Sequence, residues 1–226
     1  MAEKQLHLVR HGEVHNPHGV LYGRIPGYRL SELGAEMAAA AADDLQQRDR
    51  RIARLYASPL QRTQESAEPI ARFTGLPIIT EHRIIEPTNF FEGLPNHGKH
   101  AAFRQIRYWH KLWNPFRPSW GEPYSDIAAR VREAMDEAWD EVEASVADGT
   151  DKNAFEGDIV MVSHQSPIWI THRSVAGERL FHDPRTRRCE LSSITSFTRR
   201  NGEWFEVGYS HPAEPLMANA TDIGAV

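Results

Sequence analysis

The run Leu8-Val9-Arg10-His11-Gly12-Glu13 constrains this chain most, because an apolar stretch ends there in an adjacent arginine and histidine followed by glycine. Gln5 to Val9 reads as a short buried strand opening the fold. Arg10, His11 and Gly12 then fall at its carboxyl end, the edge where open α/β sheets bind ligands. His11 offers an unprotonated ring nitrogen near neutral pH, Arg10 can neutralise a phosphoryl oxygen, and Gly12 lets the backbone turn sharply beneath them. A second apolar run, Asp158 to His164, has the length and composition of a central parallel strand and brings His164 to a strand end in the same way.

Between and after these runs the pattern alternates strand with helix, which predicts one α/β domain with a mainly parallel central sheet flanked by helices. Ser31 can cap a helix running through Ala35 to about Gln47, rich in alanine. Arg54 to Ala57 reads as a second strand. Leu60 to about Phe73 reads as a helix with Pro59 at its start and Pro69 expected to kink or shorten it. Leu76 to Thr80 is a third strand, leading through Arg83-Ile84-Ile85-Glu86 into a loop. The stretch from about 92 to 124 is an insertion rich in tryptophan (Trp109, Trp113, Trp120), with a short helix over Ala101 to Trp113, expected to cap the site. Ser125 to about Val146 has one buried stripe at helical spacing, and Thr150 to Gly157 is a loop. A helix from Pro167 to about Ala176 follows the strand ending at His164. Asn201-Gly202 between two strand-like runs, Ile194 to Arg199 and Trp204 to Tyr209, predicts a C-terminal antiparallel hairpin. The domain is expected to span 1–211, with 212–226 a mobile tail.

Composition narrows the function. The formal charge of −5 on 226 residues, with no cluster of basic side chains, argues against a nucleic-acid partner and leaves any positive field local. No apolar stretch approaches the roughly 18 residues a membrane span needs. The single cysteine, Cys189, offers no internal disulfide, and no secretory leader pattern opens the chain, so a cytoplasmic protein is expected. His7, His11, His15 and His18 resemble a metal cluster only if they share a helix, which Gly12 and the strand pattern oppose; neither metal nor cofactor is expected.

Arg10, His11 and His164 meet if their strands are neighbours, and Arg62, in the first turn of its helix, joins them with the positive helix end behind it. Two guanidiniums and two imidazoles then surround a volume the size of one phosphate. A transferring phosphoryl group keeps its charge on three equatorial oxygens, which calls for fixed positive donors. His11 is the expected nucleophile. The leaving alkoxide needs a proton, for which Glu86 is the candidate, with Glu81 and Glu92 as nearby alternatives. An unperturbed glutamate, with a pKa of about 4.3, is ionised at neutral pH, so the role requires a raised value.

These segments together resemble the histidine phosphatase superfamily, the phosphoglycerate mutase-like group, over most of the chain, from Leu8 to at least Pro167. Arg10-His11-Gly12 is similar to the family's nucleophile segment. Ser58-Pro59-Leu60-Gln61-Arg62-Thr63 is similar to its second phosphate arginine, Ser163-His164 to its second histidine, and Glu86 with Glu92-Gly93 to its proton-donor segment. The stretch Gly23 to Gly34 resembles its loop and first helix. The resemblance implies a phosphohistidine intermediate on a small phosphorylated substrate. Arg10, Arg62, Asn16, Gly23 and Gln165 are the candidate substrate-binding positions. In members related to glycolytic mutases a phosphate-binding asparagine stands six positions after the nucleophile, whereas Asn16 stands five after. Leu94-Pro95-Asn96-His97-Gly98 replaces their tyrosine-glycine pattern. The second departure favours a phosphomonoesterase over a mutase-type phosphotransferase, the alternative. A noncatalytic phosphate-binding module is a third reading. Oligomeric state is not legible.

Overall fold

Alternate side chains along the central strands face two different helical layers, which is why Leu8-Val9 and Ile159 to Val162 are apolar at adjacent positions. In the computed structural model, which describes residues 3–95, 114, 120–147 and 157–222, Leu6, Leu8, Ile159 and Met161 pack in one core and Val9, Val160 and Val162 in the other. The sheet has six strands: β1 (Leu6–Arg10), β2 (Ile52–Ala57), β3 (Ile78–Thr80), β4 (Asp158–Ser163), β5 (Ile194–Arg200) and β6 (Glu203–Ser210), in the order β3-β2-β4-β1-β5-β6. The first four are mutually parallel; β5 runs antiparallel to β1, and β6 to β5.

Helices α1 (Glu32–Gln47) and α2 (Gln61–Thr74) cover one face through Ala41, Ala42, Leu45, Ala67 and Ile70. Helices α3 (Tyr124–Ala147) and α4 (Gln165–Val175) cover the other through Ile127, Val131, Met135, Val142, Ile168 and Ile170. The result is a single three-layer α/β domain. Among the described residues no helix is long and apolar enough to cross a membrane.

Local chemistry sets the boundaries. Ser31 caps α1 by accepting from the Gly34 amide at 2.9 Å, a contact worth about 1 kcal/mol. Pro69 does not shorten α2, which continues to Thr74 because Ala67 and Ile70 beside it are buried against the sheet. The αL-type values of Asn201 (φ 53) and Gly202 (φ 80) close the β5–β6 hairpin as a two-residue turn.

Three expectations are corrected. Helix α4 begins at Gln165, not Pro167: Pro167 occupies the first turn, where its missing N–H leaves no intrahelical bond unmade. Strand β3 begins at Ile78 rather than Leu76. The segment after Pro212 is not a free tail over its described part: Glu214–Asn219 forms a 3-10 helix whose Leu216 and Met217 pack on Met37 and Leu191. Its apolar side chains supply the reason. The expected helix at 101–113 lies outside the described residues, as does nearly all of the 150–157 loop. The ends of the insertion are described and anchored, by bridges between Val20 and Pro95 and between Asn89 and Gly121.

Candidate active site

Backbone pairing carries three segments past the carboxyl edge of the sheet together. The His11 amide donates to the Ser163 carbonyl at 3.1 Å and the Ser58 amide to the Val162 carbonyl at 3.0 Å, so β1, β2 and β4 deliver His11, Ser58 and His164 side by side. His164 is the N-cap of α4, and Arg62 lies in the first turn of α2, so two helix N-termini open on the same edge. Such ends favour anions through their unpaired amides and aligned peptide dipoles.

The glycine after His11 has a different reason from the one read in the sequence. Gly12 does not adopt positive φ; a Cβ there would stand 2.2 Å from the Gly34 carbonyl oxygen, and a Cβ on Gly34 would stand 2.0 Å from that of Glu13. The two backbones touch, and only glycine fits.

His11 is buried and its tautomer is fixed by its partners. Nδ1 lies 2.7 Å from the Gly12 carbonyl oxygen, which can only accept, so Nδ1 carries the proton. Arg62 Nε donates to Nε2 at 3.3 Å, so Nε2 presents its lone pair to the pocket. Burial, then the Arg62 and Arg10 guanidiniums, hold the imidazole well below its ordinary pKa, keeping it neutral at pH 7.

Arg62 is itself fixed by donation from Nη2 to the Gly23 carbonyl at 2.8 Å and by the Tyr22 ring, 4.8 Å from its guanidinium carbon. Gly23 therefore contributes through its backbone. It has φ 38, and a Cβ there would stand 2.2 Å from Glu92 Oε1.

The His164 ring packs edge-on against His11 with centroids 5.2 Å apart. Its Nε2 is hydrogen-bonded to Ser58 Oγ at 2.8 Å, and its Nδ1 lies 3.5 Å from Glu86 Oε2. That pair meets the distance for a salt bridge, yet burial lowers His164 well below its usual pKa and raises Glu86 to about 7. Both charges are penalised by the same dry surroundings, so the neutral pair is favoured.

Glu86 is the carboxylate that reaches the site. Burial raises its pKa against the pull of Arg62, Arg187 and Arg10, and Oε1 has no hydrogen-bond partner among the described residues. The alternatives are engaged elsewhere: Glu81 pairs with Arg83 at 2.6 Å, and Glu92 Oε1 accepts from the Asn89 amide at 3.3 Å.

Arg10 is fully buried, with Nη1 donating to the Cys189 carbonyl at 2.7 Å and both terminal nitrogens paired with Asp222; its Nε has no hydrogen-bond partner among the described residues. Asn16 makes two contacts to the backbone of Val20. Its Nδ2 donates to the Val20 carbonyl at 2.9 Å and its Oδ1 accepts from the Val20 amide at 3.2 Å, which closes the 16–20 loop. Gln165 Oε1 accepts from Arg187 Nη1 at 3.2 Å.

Sequence reading missed Ser58 as a partner of His164, Arg187 and Asp222. Ser58 stood inside a quoted motif without a role. His7 is remote from the site, bonded to Ser196 Oγ and Asp158 Oδ2, while His15 and His18 are exposed. Among the described residues no three His, Cys, Asp or Glu side chains form a metal-sized cluster.

The family model for the histidine phosphatase superfamily (branch 1) matches residues 6–211. The chain is 48% identical over 211 residues, 93% of its own length and 98% of the relative's, to uncharacterized protein Rv0525 of Mycobacterium tuberculosis. Among solved structures, the mycobacterial glucosyl-3-phosphoglycerate phosphatase Rv2419c superposes with a TM-score of 0.67 at 23% identity, over 90% of this chain and 97% of that one. The phosphoserine phosphatase of Entamoeba histolytica, solved in complex with 3-phosphoglyceric acid, gives 0.66 at 19% identity, over 92% and 96%. At these identities both show a shared fold.

Proposed function

The chain belongs to the histidine phosphatase superfamily, and on that premise we propose that it is a phosphomonoesterase that hydrolyses a small phosphorylated molecule through a phosphohistidine on His11. The observation that carries this reading is the state of His11: Nδ1 is tied to the Gly12 carbonyl, and the neutral Nε2 faces the Arg62 guanidinium. An incoming phosphoryl group would take over that Arg62 contact.

The phosphoryl oxygens would lie against Arg62, Arg10 and His164, with the amides at the start of α4 beneath them. Positive donors held in place act where charge is greatest during transfer, and removing one such donor typically costs about 10²–10³ in kcat. His11 Nε2 attacks phosphorus in line, forming the N–P bond as the ester P–O bond breaks. Glu86, with a pKa of about 7, gives its proton to the departing oxygen. The resulting carboxylate then removes a proton from water as that water attacks the phosphohistidine, which returns His11 and releases inorganic phosphate. This sequence draws its positive charge from side chains and routes no step through a metal or organic cofactor.

A mutase-type phosphotransferase would use the same residues and differ only in letting a second hydroxyl reach the phosphoenzyme. Two fold relatives named above are phosphatases, which favours water as the acceptor. A phosphate-release screen over sugar phosphates, phosphoglycerates, nucleotides and phosphopeptides tests the reading. Steady release of phosphate from some of these, with no isomerised phosphoglycerate, is expected; isomerisation without net release would establish the mutase, and no turnover of any would leave a binding module.

A further inference from the structure

The hydroxyl of Ser58 has a partner in the active site but no task in the mechanism above. Ser58 is fully buried, and its Oγ lies 2.8 Å from His164 Nε2. Three bonds hold its backbone there. Its amide donates to the Val162 carbonyl at 3.0 Å, and its carbonyl accepts from Thr63 Oγ1 and from Gln64 Nε2, each at 2.8 Å. Strand β4 and the first turn of α2 thus fix one hydroxyl against one ring nitrogen.

The state of His164 makes that contact matter. The ring is fully buried and, with its pKa held well below 6.5 chiefly by burial, it is neutral at pH 7, so it has a single proton for two nitrogens. Which nitrogen carries it is set by the bond the other one makes. Nε2 faces Ser58. Nδ1 faces Glu86, whose Oε2 is 3.5 Å away, and has no hydrogen-bond partner among the described residues; Arg10 Nε is without one as well. Buried polar atoms are rarely left unpaired in a folded protein. Arg10 Nε can only donate, which suits a charged phosphoryl oxygen, and His164 Nδ1 can join it as a donor only if the ring proton sits there.

A neutral ring can bond to Ser58 in two ways. If Nε2 carried the proton it would donate to Ser58 Oγ, the serine hydroxyl would have no acceptor among the described residues, and Nδ1 would present a lone pair. That lone pair would repel a phosphoryl oxygen. It would also accept from the acid form of Glu86, drawing the proton away from the departing alcohol. If Ser58 donates to Nε2 instead, the hydroxyl is satisfied and Nδ1 becomes a donor. Only the second arrangement serves every group.

We propose that Ser58 is a positioning residue: by donating to Nε2 it holds His164 as the Nδ1–H tautomer, whose N–H binds the phosphoryl group during transfer. The proposal rests on the phosphatase reading for the identity of the anion, whereas the tautomer is a property of the free protein. A hydroxyl that merely filled space beside the ring would set no preference between the two nitrogens.

The test is the tautomer itself, read from the imidazole nitrogen shifts in NMR of the full chain labelled at histidine, with the His164 signals identified by their absence from His164→Asn. The unmutated protein should show a protonated Nδ1 and a bare Nε2, and Ser58→Ala should shift toward the Nε2–H form. That variant should bind inorganic phosphate about tenfold more weakly, the usual worth of one hydrogen bond to a charged group, and lose about 10² in kcat, as removal of one fixed donor does. Ser58→Thr keeps a hydroxyl on the same carbon and should restore the tautomer and part of the activity. A protonated Nε2 in the unmutated protein, or Nδ1–H retained in Ser58→Ala, overturns the proposal. Turnover separates the two readings: a tautomer governed by Ser58 in a protein that turns over no phosphomonoester keeps the positioning role and removes the phosphatase, while turnover with a tautomer indifferent to Ser58 does the reverse.

Discussion

Arg10 and Asp222 form a two-pronged ion pair, Nη1 to Oδ2 at 2.8 Å and Nη2 to Oδ1 at 2.5 Å, although 212 residues separate them. The carboxylate presents two oxygens to the guanidinium as a phosphoryl group would, and its negative charge opposes that of a substrate. Asp222→Asn is therefore expected to tighten inorganic phosphate, measured as its inhibition constant, by about tenfold, equivalent to roughly 1.4 kcal/mol. Weaker phosphate binding in that variant would mean that Asp222 supports Arg10 instead of competing for it.

Glu86 should govern the alkaline side of the pH profile. With a pKa raised to about 7, its acid form predominates below that value and is lost above it. For alkyl phosphates kcat/KM should accordingly fall as pH rises through about 7. Glu86→Gln should abolish that limb and slow alkyl esters by about 10²–10⁴, the usual range for general acid catalysis, with aryl phosphates affected far less because they leave without a proton. Equal slowing of both classes would point to another donor.

Four buried histidines tie stability to pH. His7, His11, His164 and His182 all have pKa values lowered from 6.5, each with burial as the largest cause. The unfolded chain binds protons on these rings before the folded one does, so their contribution is complete above pH 6.5 and is lost as pH falls below it. Glu86 works the other way: with its raised value it favours the folded state at low pH and loses that contribution as pH rises from 4.5 through about 7. Four groups outweigh one, and Tm is expected to decline between pH 6.5 and 5. A Tm that is flat or rises on acidification across that interval contradicts this balance.

The Gly12–Gly34 contact should tolerate no side chain. Because a Cβ at either position would stand within 2.2 Å of a backbone oxygen, Gly12→Ala and Gly34→Ala should each cost about 1–3 kcal/mol in urea unfolding. Both should also impair activity, because the strained backbone is that of the nucleophile. Wild-type stability in either variant would show that the loops separate easily.

Much of this arrangement was legible because it is written in local pattern. Leu8-Val9 and Ile159 to Val162 are apolar at adjacent positions in runs of strand length, as a strand covered on both faces requires, and that reading places His11 and His164 at one edge. Asn201-Gly202 announced its turn through residues that tolerate positive φ. Contacts made by polar side chains across long separations left no such trace. In the run Arg185 to Arg188, composition does not distinguish Arg187 from its neighbours. Packing does: the Arg185 and Arg188 side chains are 88% and 46% exposed, while Arg187 is 7%. The Asp222 carboxylate likewise resembled any acidic residue near a chain end. The amide of Asn16, one position short of the family's asparagine, closes its own loop, a pairing no sequence pattern announces.

The covalent step is the centre of this account, and phosphate labelling tests it most directly. On brief incubation with a radiolabelled phosphomonoester and acid-free denaturation, the protein should carry label that is stable in alkali and released in acid, as a phosphoramidate is. The same protein with His11→Ala should carry none and release no phosphate. Label that survives acid, or turnover that persists in the His11→Ala protein, would contradict attack by His11 on phosphorus.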